Sequence, residues 1–172
     1  DFVLGLKTWL YEEQKIDPPG AVRMRYMETG DGESWPYRNW YGVDGDKAIR
    51  ALCAFTDGVP MFFENFTEGE GDYIAMLMRI RREVKALRRG DADYTGVVCD
   101  TPGVFAFARR CEGSDAVVAI NFSPARKVLR ETELAPWGFA VWENGRRVDD
   151  SYRAPVFLRE SAAGLKPEVV QT

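Results

Sequence analysis

The sequence predicts a mixed chain, with an α/β part over residues 1–90 and an all-β part, an antiparallel β-sandwich, over 91–172. Three observations carry this. Before Gly90, helical and extended patterns alternate as helix, strand, helix, strand, helix. After Gly90, short β-rich runs follow one another, separated by Pro, Gly, Asn and Asp. Within that second part, "ENGRR" at 143–147 carries the Asn-Gly pair that favours a two-residue hairpin turn.

Each element has a local reason. Residues 2–14 place Phe2, Leu6, Trp9 and Leu10 at the spacing of an amphipathic helix. "DPPGA" (17–21) ends it, because consecutive prolines cannot continue a helix. "VRMRYM" (22–27) reads as a strand, and 28–45 as a long loop rich in Gly, Asp and aromatic residues. Asp44 or Asp46 would cap a helix over 46–56. "GVPMFFENF" (58–66) reads as a second strand. Residues 72–89 give the strongest helix, with Tyr73, Leu77, Ile80, Val84 and Leu87 on one face and Gly90 as its stop. Beyond it, "YTGVVCD", "GVFAFARRC", "AVVAINFS", "RKVLRETEL", "FAVWENGRRV" and "PVFLRES" make a sandwich pattern. Strand alternation turns Phe105, Phe107, Val118, Ile120, Phe122 and Trp142 inward.

The order of the first part implies parallel strands joined by right-handed crossovers. Two parallel strands cannot bury both of their faces. Residues 1–90 are therefore expected to be the closing part of a larger sheet or barrel, and the opening Asp1-Phe2-Val3, already in mid-pattern, reads the same way. Left uncovered, such strands would drive self-association through residues 1–66.

Composition narrows the function. With 45% hydrophobic and 13% aromatic residues the chain can bury a core. A net charge of −4 with well-mixed signs points away from nucleic acid. The basic cluster Arg79, Arg81, Arg82, Lys85, Arg88 and Arg89 reads as a solvated face opposite the apolar stripe. No apolar run approaches the roughly 20 residues of a membrane helix. Cys53, Cys99 and Cys111 are odd in number and lack a C-x-x-C, so they read as free thiols and lean toward the cytoplasm. Histidine is absent, which removes Ser-His and Cys-His nucleophile pairs and the usual metal clusters. No metal or cofactor is expected. Acid–base chemistry would fall to a carboxylate, Lys, Tyr or Cys.

"RMRYMETGD", then "KAIRALCAFTDGVPMFFEN", then a helix ending in "RREVKALRRG", then "VFAFARR" and "VVAINFS", resemble in order and spacing the C-terminal portion of an α-amylase-type glycoside hydrolase. The resemblance spans at least residues 20–145. It implies the last two strand–helix units of a (β/α)8 barrel followed by a small β-sandwich domain. Working residues in such a barrel sit where strands end and βα loops begin. The family ends its seventh strand in Asn-His-Asp, and Thr29-Gly30-Asp31 stand in those places here. By resemblance, Asp31 stabilises an oxocarbenium-like transition state by fixing sugar hydroxyls, while Gly30 cannot supply the hydroxyl ligand that His would. Read without the family, Asp31 is a turn residue before Gly32.

Retaining glycosidases need two carboxylates about 5–5.5 Å apart, one as nucleophile and one as acid/base. The resemblance places these after the fourth and fifth strands, which have no counterpart here. Glu28, Glu33 and Glu64 have no matching motif, so the chain is expected to be catalytically incomplete alone. Trp35, Tyr37, Trp40 and Tyr41 could stack on sugar rings or pack the loop onto the barrel rim, and Arg38 and Asn39 could bind hydroxyls or hold that loop. The expected substrate-binding set is Trp35, Arg38, Trp40 and Tyr41, and the expected partner of the whole protein is an α-glucan or oligosaccharide. Gly30 and the lack of histidine leave open a non-catalytic relative that binds carbohydrate or supports an assembly.

Overall fold

The computed structural model describes residues 1–27, 36–63 and 69–153, and the side chains of 36–40 and 153 lie outside that description. Helix α1 (Phe2–Ile16) starts where Asp1 Oδ1 accepts a bond from the Val3 N–H at 3.0 Å, and it stops at Asp17, ahead of the two prolines. Strand β1 (Met24–Arg25) pairs in parallel with β2 (Val59–Pro60), Met24 opposite Val59 and Arg25 opposite Pro60. The adjacent parallel pair expected from the helix–strand alternation is therefore present. Its regular ladder is shorter than the predicted 22–27 and 58–66. Backbone bonds from Val59 N to Arg23 O (2.7 Å) and Met61 N to Arg25 O (2.8 Å) set its register. Gly58 makes the approach feasible: its φ is +90°, and a Cβ there would sit 2.3 Å from the Arg23 carbonyl oxygen.

Helix α2 (Pro36–Phe55) corrects the loop expected over 28–45, because residues 36–45 are helical. Gly42, at φ 71° and ψ −176°, is not helical, so α2 is two helical segments that meet at a kink there. Asp44 and Asp46 lie near the start of the second segment, close to the helix start expected there, and pair with Lys47 (3.1 Å) and Arg50 (3.3 Å). The predicted helix over 72–89 is two helices, α3 (Gly71–Glu83) and α4 (Lys85–Arg89), divided at Val84 with ψ 106°. The Ala86 N–H that the break releases donates to Ser114 Oγ at 3.0 Å, so the sheet satisfies it. The apolar stripe survives the break, with Leu77, Ile80, Val84 and Leu87 all buried.

The second part is one antiparallel sheet ordered β3 (Asp91–Asp93), β4 (Val104–Cys111), β5 (Ser114–Asn121), β8 (Phe139–Glu143), β9 (Arg146–Arg147). A separate hairpin joins β6 (Lys127–Leu129) to β7 (Thr132–Leu134), and a short α5 (Asp150–Arg153) follows β9. Residues 94–100, read as β-rich, form no ladder; Asp93 Oδ1 takes the Thr95 and Gly96 N–H groups into a turn instead. The "PVFLRES" run lies outside the described residues. Asn144 and Gly145 supply the expected hairpin turn, both at positive φ.

Alternation assigns the sheet's faces. Phe105, Phe107, Val118, Ile120, Phe139 and Val141 join Leu77, Ile80, Leu87, Phe55 and Leu10 in one apolar cluster. Val104, Ala106, Ala119 and Ala140 meet Leu134 of the hairpin on the other face, with Trp142 half-buried beside them. The predicted inward residues are buried or, for Phe122 and Trp142, half-buried, but Trp142 belongs to the face opposite Phe105. The fold is helices plus an antiparallel sheet. The larger apolar face is covered by helices from before Gly90, while the hairpin opposes the other face over a small patch. Period-2 patterning fixes which residues share a face and is silent on what covers it.

Candidate functional site

Strand β1 and its flanks present an inverted pattern. Val22, Met24 and Tyr26 are 72%, 56% and 47% exposed, whereas Arg25 between them is 7% exposed. Val59, the register partner of Met24, is 55% exposed. A two-stranded sheet in water would show its charge and bury its apolar face. Here the arginine points toward α1, and the apolar face is open.

The buried side is a charge network. Arg25 Nη2 lies 2.5 Å from Glu13 Oε2 on α1 and 2.6 Å from Asp57 Oδ1 ahead of β2, and its Nε donates to the Asp57 carbonyl at 3.0 Å. Tyr94 OH donates to Asp57 Oδ1 at 2.7 Å and accepts from the Asp57 N–H at 3.1 Å. Arg23 pairs with Asp17 and, at 3.3 Å, with Glu13. Burial works against the Arg25 charge, but the bonds to Glu13 and Asp57 outweigh it and raise its pKa. Burial likewise opposes the Asp57 charge, and Arg25 and Tyr94 outweigh it, leaving its carboxyl below the usual range. Tyr94 is pushed up by burial and then by the Asp57 charge, so it stays a neutral donor.

Where β2 ends, Arg50 of α2 is fully buried, 2.6 Å from Glu70 and 3.3 Å from Asp46, with its guanidinium 5.9 Å from the Phe62 ring centre. This ties α2 to the residue before α3 and holds the exit of β2. Between α1, β1 and α2 lies a groove of about 870 Å³ lined by Trp9, Leu10, Met24, Tyr26 and Leu52, with Glu13, Arg23 and Arg25 as its charged members.

Asp31 and Trp35 lie outside the described residues, as do Glu28, Glu33 and Glu64. Arg38 and Trp40 are on the first half of α2. Tyr41 packs its ring 5.5 Å from Trp137 and 6.4 Å from Phe2, and Phe2 in turn sits 5.2 Å from Phe122. That cluster seats α1 and α2 on the loop before β8, while part of Tyr41 stays in solvent. Among the described residues no group of three His, Cys, Asp or Glu is placed to hold a metal, and no helix is long and apolar enough to cross a membrane. Cys53 is buried, Cys99 and Cys111 are half-buried, and no disulfide joins them.

Sequence reasoning missed the Arg25–Asp57–Tyr94 network and mistook Arg81, which is buried, for part of a solvated face. A signal for the first was present: Arg23 and Arg25 alternate with Val22, Met24 and Tyr26 inside a strand.

No protein-family model matches the sequence, and no curated protein matches it. Among solved structures, the fold is similar to the ligand-free form of cyclic alpha-maltosyl-(1→6)-maltose hydrolase from Arthrobacter globiformis, with TM-score 0.60 and 16% identity. The match covers 80% of this chain and 39% of that one, so this chain spans well under half of that protein's length.

Proposed function

We propose that this chain is the closing part of an α-amylase-like glycoside hydrolase acting on an α-glucan or oligosaccharide, with residues 1–90 ending its (β/α)8 barrel and residues 91–172 forming its C-terminal β-domain. The observation that carries this reading is the inverted face of β1. Met24 and Val59 stand on the side away from the α1 contact of Arg25, which in a barrel is the interior, where other strands would fill it with side chains. The parallel register and the likeness to a maltose-linkage hydrolase support the same assignment.

In this reading Asp31 follows the seventh strand and fixes sugar hydroxyls as positive charge develops at the anomeric carbon. Trp35, Trp40 and Tyr41 offer flat faces to sugar rings, and Arg38 donates to hydroxyls. The nucleophile and the acid/base come from earlier strands that this chain does not contain, so the 172 residues alone do not hydrolyse glycosides. Gly30, which stands in the histidine place of the resembled motif, favours a second reading: a non-catalytic relative that binds carbohydrate or supports an assembly.

The test uses the complete barrel. If the glycosidase reading holds, Asp31→Asn lowers kcat on a maltooligosaccharide about 100- to 1000-fold, the cost of removing one transition-state stabiliser, with little change in melting temperature. A complete barrel that binds the sugar without turnover would select the second reading, and one that neither binds nor cleaves would reject both.

A further inference from the structure

The opposite end of the parallel pair has chemistry of its own. Ahead of β1 and β2, the residues 21–22 and 57–58 meet α4 and β4 around an open cleft of about 560 Å³. Arg81 and Arg109 form its floor, each more than nine-tenths buried. Arg81 Nη1 donates to the carbonyls of Ala54 (2.6 Å) and Thr56 (2.9 Å), and its Nη2 to that of Gly58 (2.5 Å). Arg109 Nε and Nη2 donate to the Gly90 carbonyl (3.0 and 2.6 Å), and its Nη1 to that of Phe55 (3.0 Å).

The bonds to Ala54, Phe55 and Thr56 cap the C-terminus of α2 and those to Gly90 cap that of α4, which accounts for their direction. Capping does not account for their charge. Each helix end offers at most roughly half a negative charge, so the two together fall short of two whole cations. Of the two acids lining the cleft, Asp57 is already held by Arg25 and Tyr94. Each guanidinium has five donors and spends three on the carbonyls. Burial and then the neighbouring Arg109 push the Arg81 pKa down to about 10, more than the opposing charge of Asp57 restores. Arg88 and Arg89 stand exposed at the rim, with no ion pair among the described residues. Four arginines thus face Asp57 and Asp91 in a chain whose net charge is −4.

We infer that this cleft binds a phosphate group, with Arg88 and Arg89 closing over a dianion drawn in by Arg81 and Arg109. The planar fork of donors on arginine suits tetrahedral oxyanions. The phosphate could be inorganic or carried by a sugar; the recognised chemistry is the same.

Isothermal titration of the 172-residue chain at constant ionic strength separates the sources, with inorganic phosphate, a hexose phosphate, the neutral hexose and chloride as the four titrants. Saturable one-site binding is expected for the phosphate-bearing titrants alone, tighter for whichever source the site serves. Arg88→Ala combined with Arg89→Ala weakens it about tenfold or more, from the loss of charge-assisted bonds. Both positions are exposed, so thermal melting monitors an unchanged fold. Heats no larger than those of chloride, or equal affinity in the double variant, would overturn the assignment and leave Arg81 and Arg109 as caps of α2 and α4.

Discussion

Arg25 makes the sequence's most readable mistake into information. An arginine flanked by Val22, Met24 and Tyr26 looks like one polar step in an ordinary amphipathic strand. Its burial against Glu13 and Asp57 means that the strand's charged side faces the helices. Removing one partner of such a pair leaves the other charge buried and unpaired, so Asp57→Asn should cost about 2 kcal/mol at neutral pH. Because the folded Asp57 carboxyl lies below its ordinary value, its contribution is complete above about pH 4 and fades as pH falls through the lowered folded value. Urea melts of the two proteins should accordingly converge in acid. Gly58→Ala tests the backbone at the same place. With φ at +90° and the Arg23 carbonyl in the way, it should destabilise by about 2 kcal/mol or more.

At the scale of elements, the strong periodic signals were legible and the tertiary choices were not. The stripe from Leu77 to Leu87 reads directly from spacing, and all of it is buried, even though the helix breaks at Val84. That break was invisible because its released donor is satisfied by Ser114, a residue 28 positions away. The helical stretch over 36–45 was hidden by its glycines and aromatics, which individually have weaker helix propensity than Ala or Leu. Asp31 and Trp35, proposed here as sugar-binding residues, were reached only through the family resemblance, since an Asp-Gly pair by itself says turn. The shared core makes its own prediction. Leu87 lies in one cluster with Phe105, Phe107 and Val118, across the expected boundary at Gly90. Leu87→Ala should cost about 2–5 kcal/mol. Near-ultraviolet and far-ultraviolet circular dichroism should report one coincident melt, because helices and sheet lose the same packing. Two separated transitions would mean independent cores on either side of residue 90.

For the whole molecule, the account turns on the open apolar face of Val22, Met24, Tyr26 and Val59 beside the exposed Trp9 of α1. An apolar surface of this kind belongs against another surface, and in the barrel proposed above further strands would cover it. Without them, the 172-residue chain should associate with itself through residues 1–66, and Met24→Glu with Val59→Lys should abolish that association without lowering the melting temperature. Sedimentation velocity over a wide dilution range tests this most directly. The account predicts a mass that rises with concentration for the unmodified chain and a dilution-independent monomer for the double variant. An unmodified chain that stays monomeric at every concentration, and a double variant that unfolds, would show that this face is satisfied within the chain and that no further strands complete it.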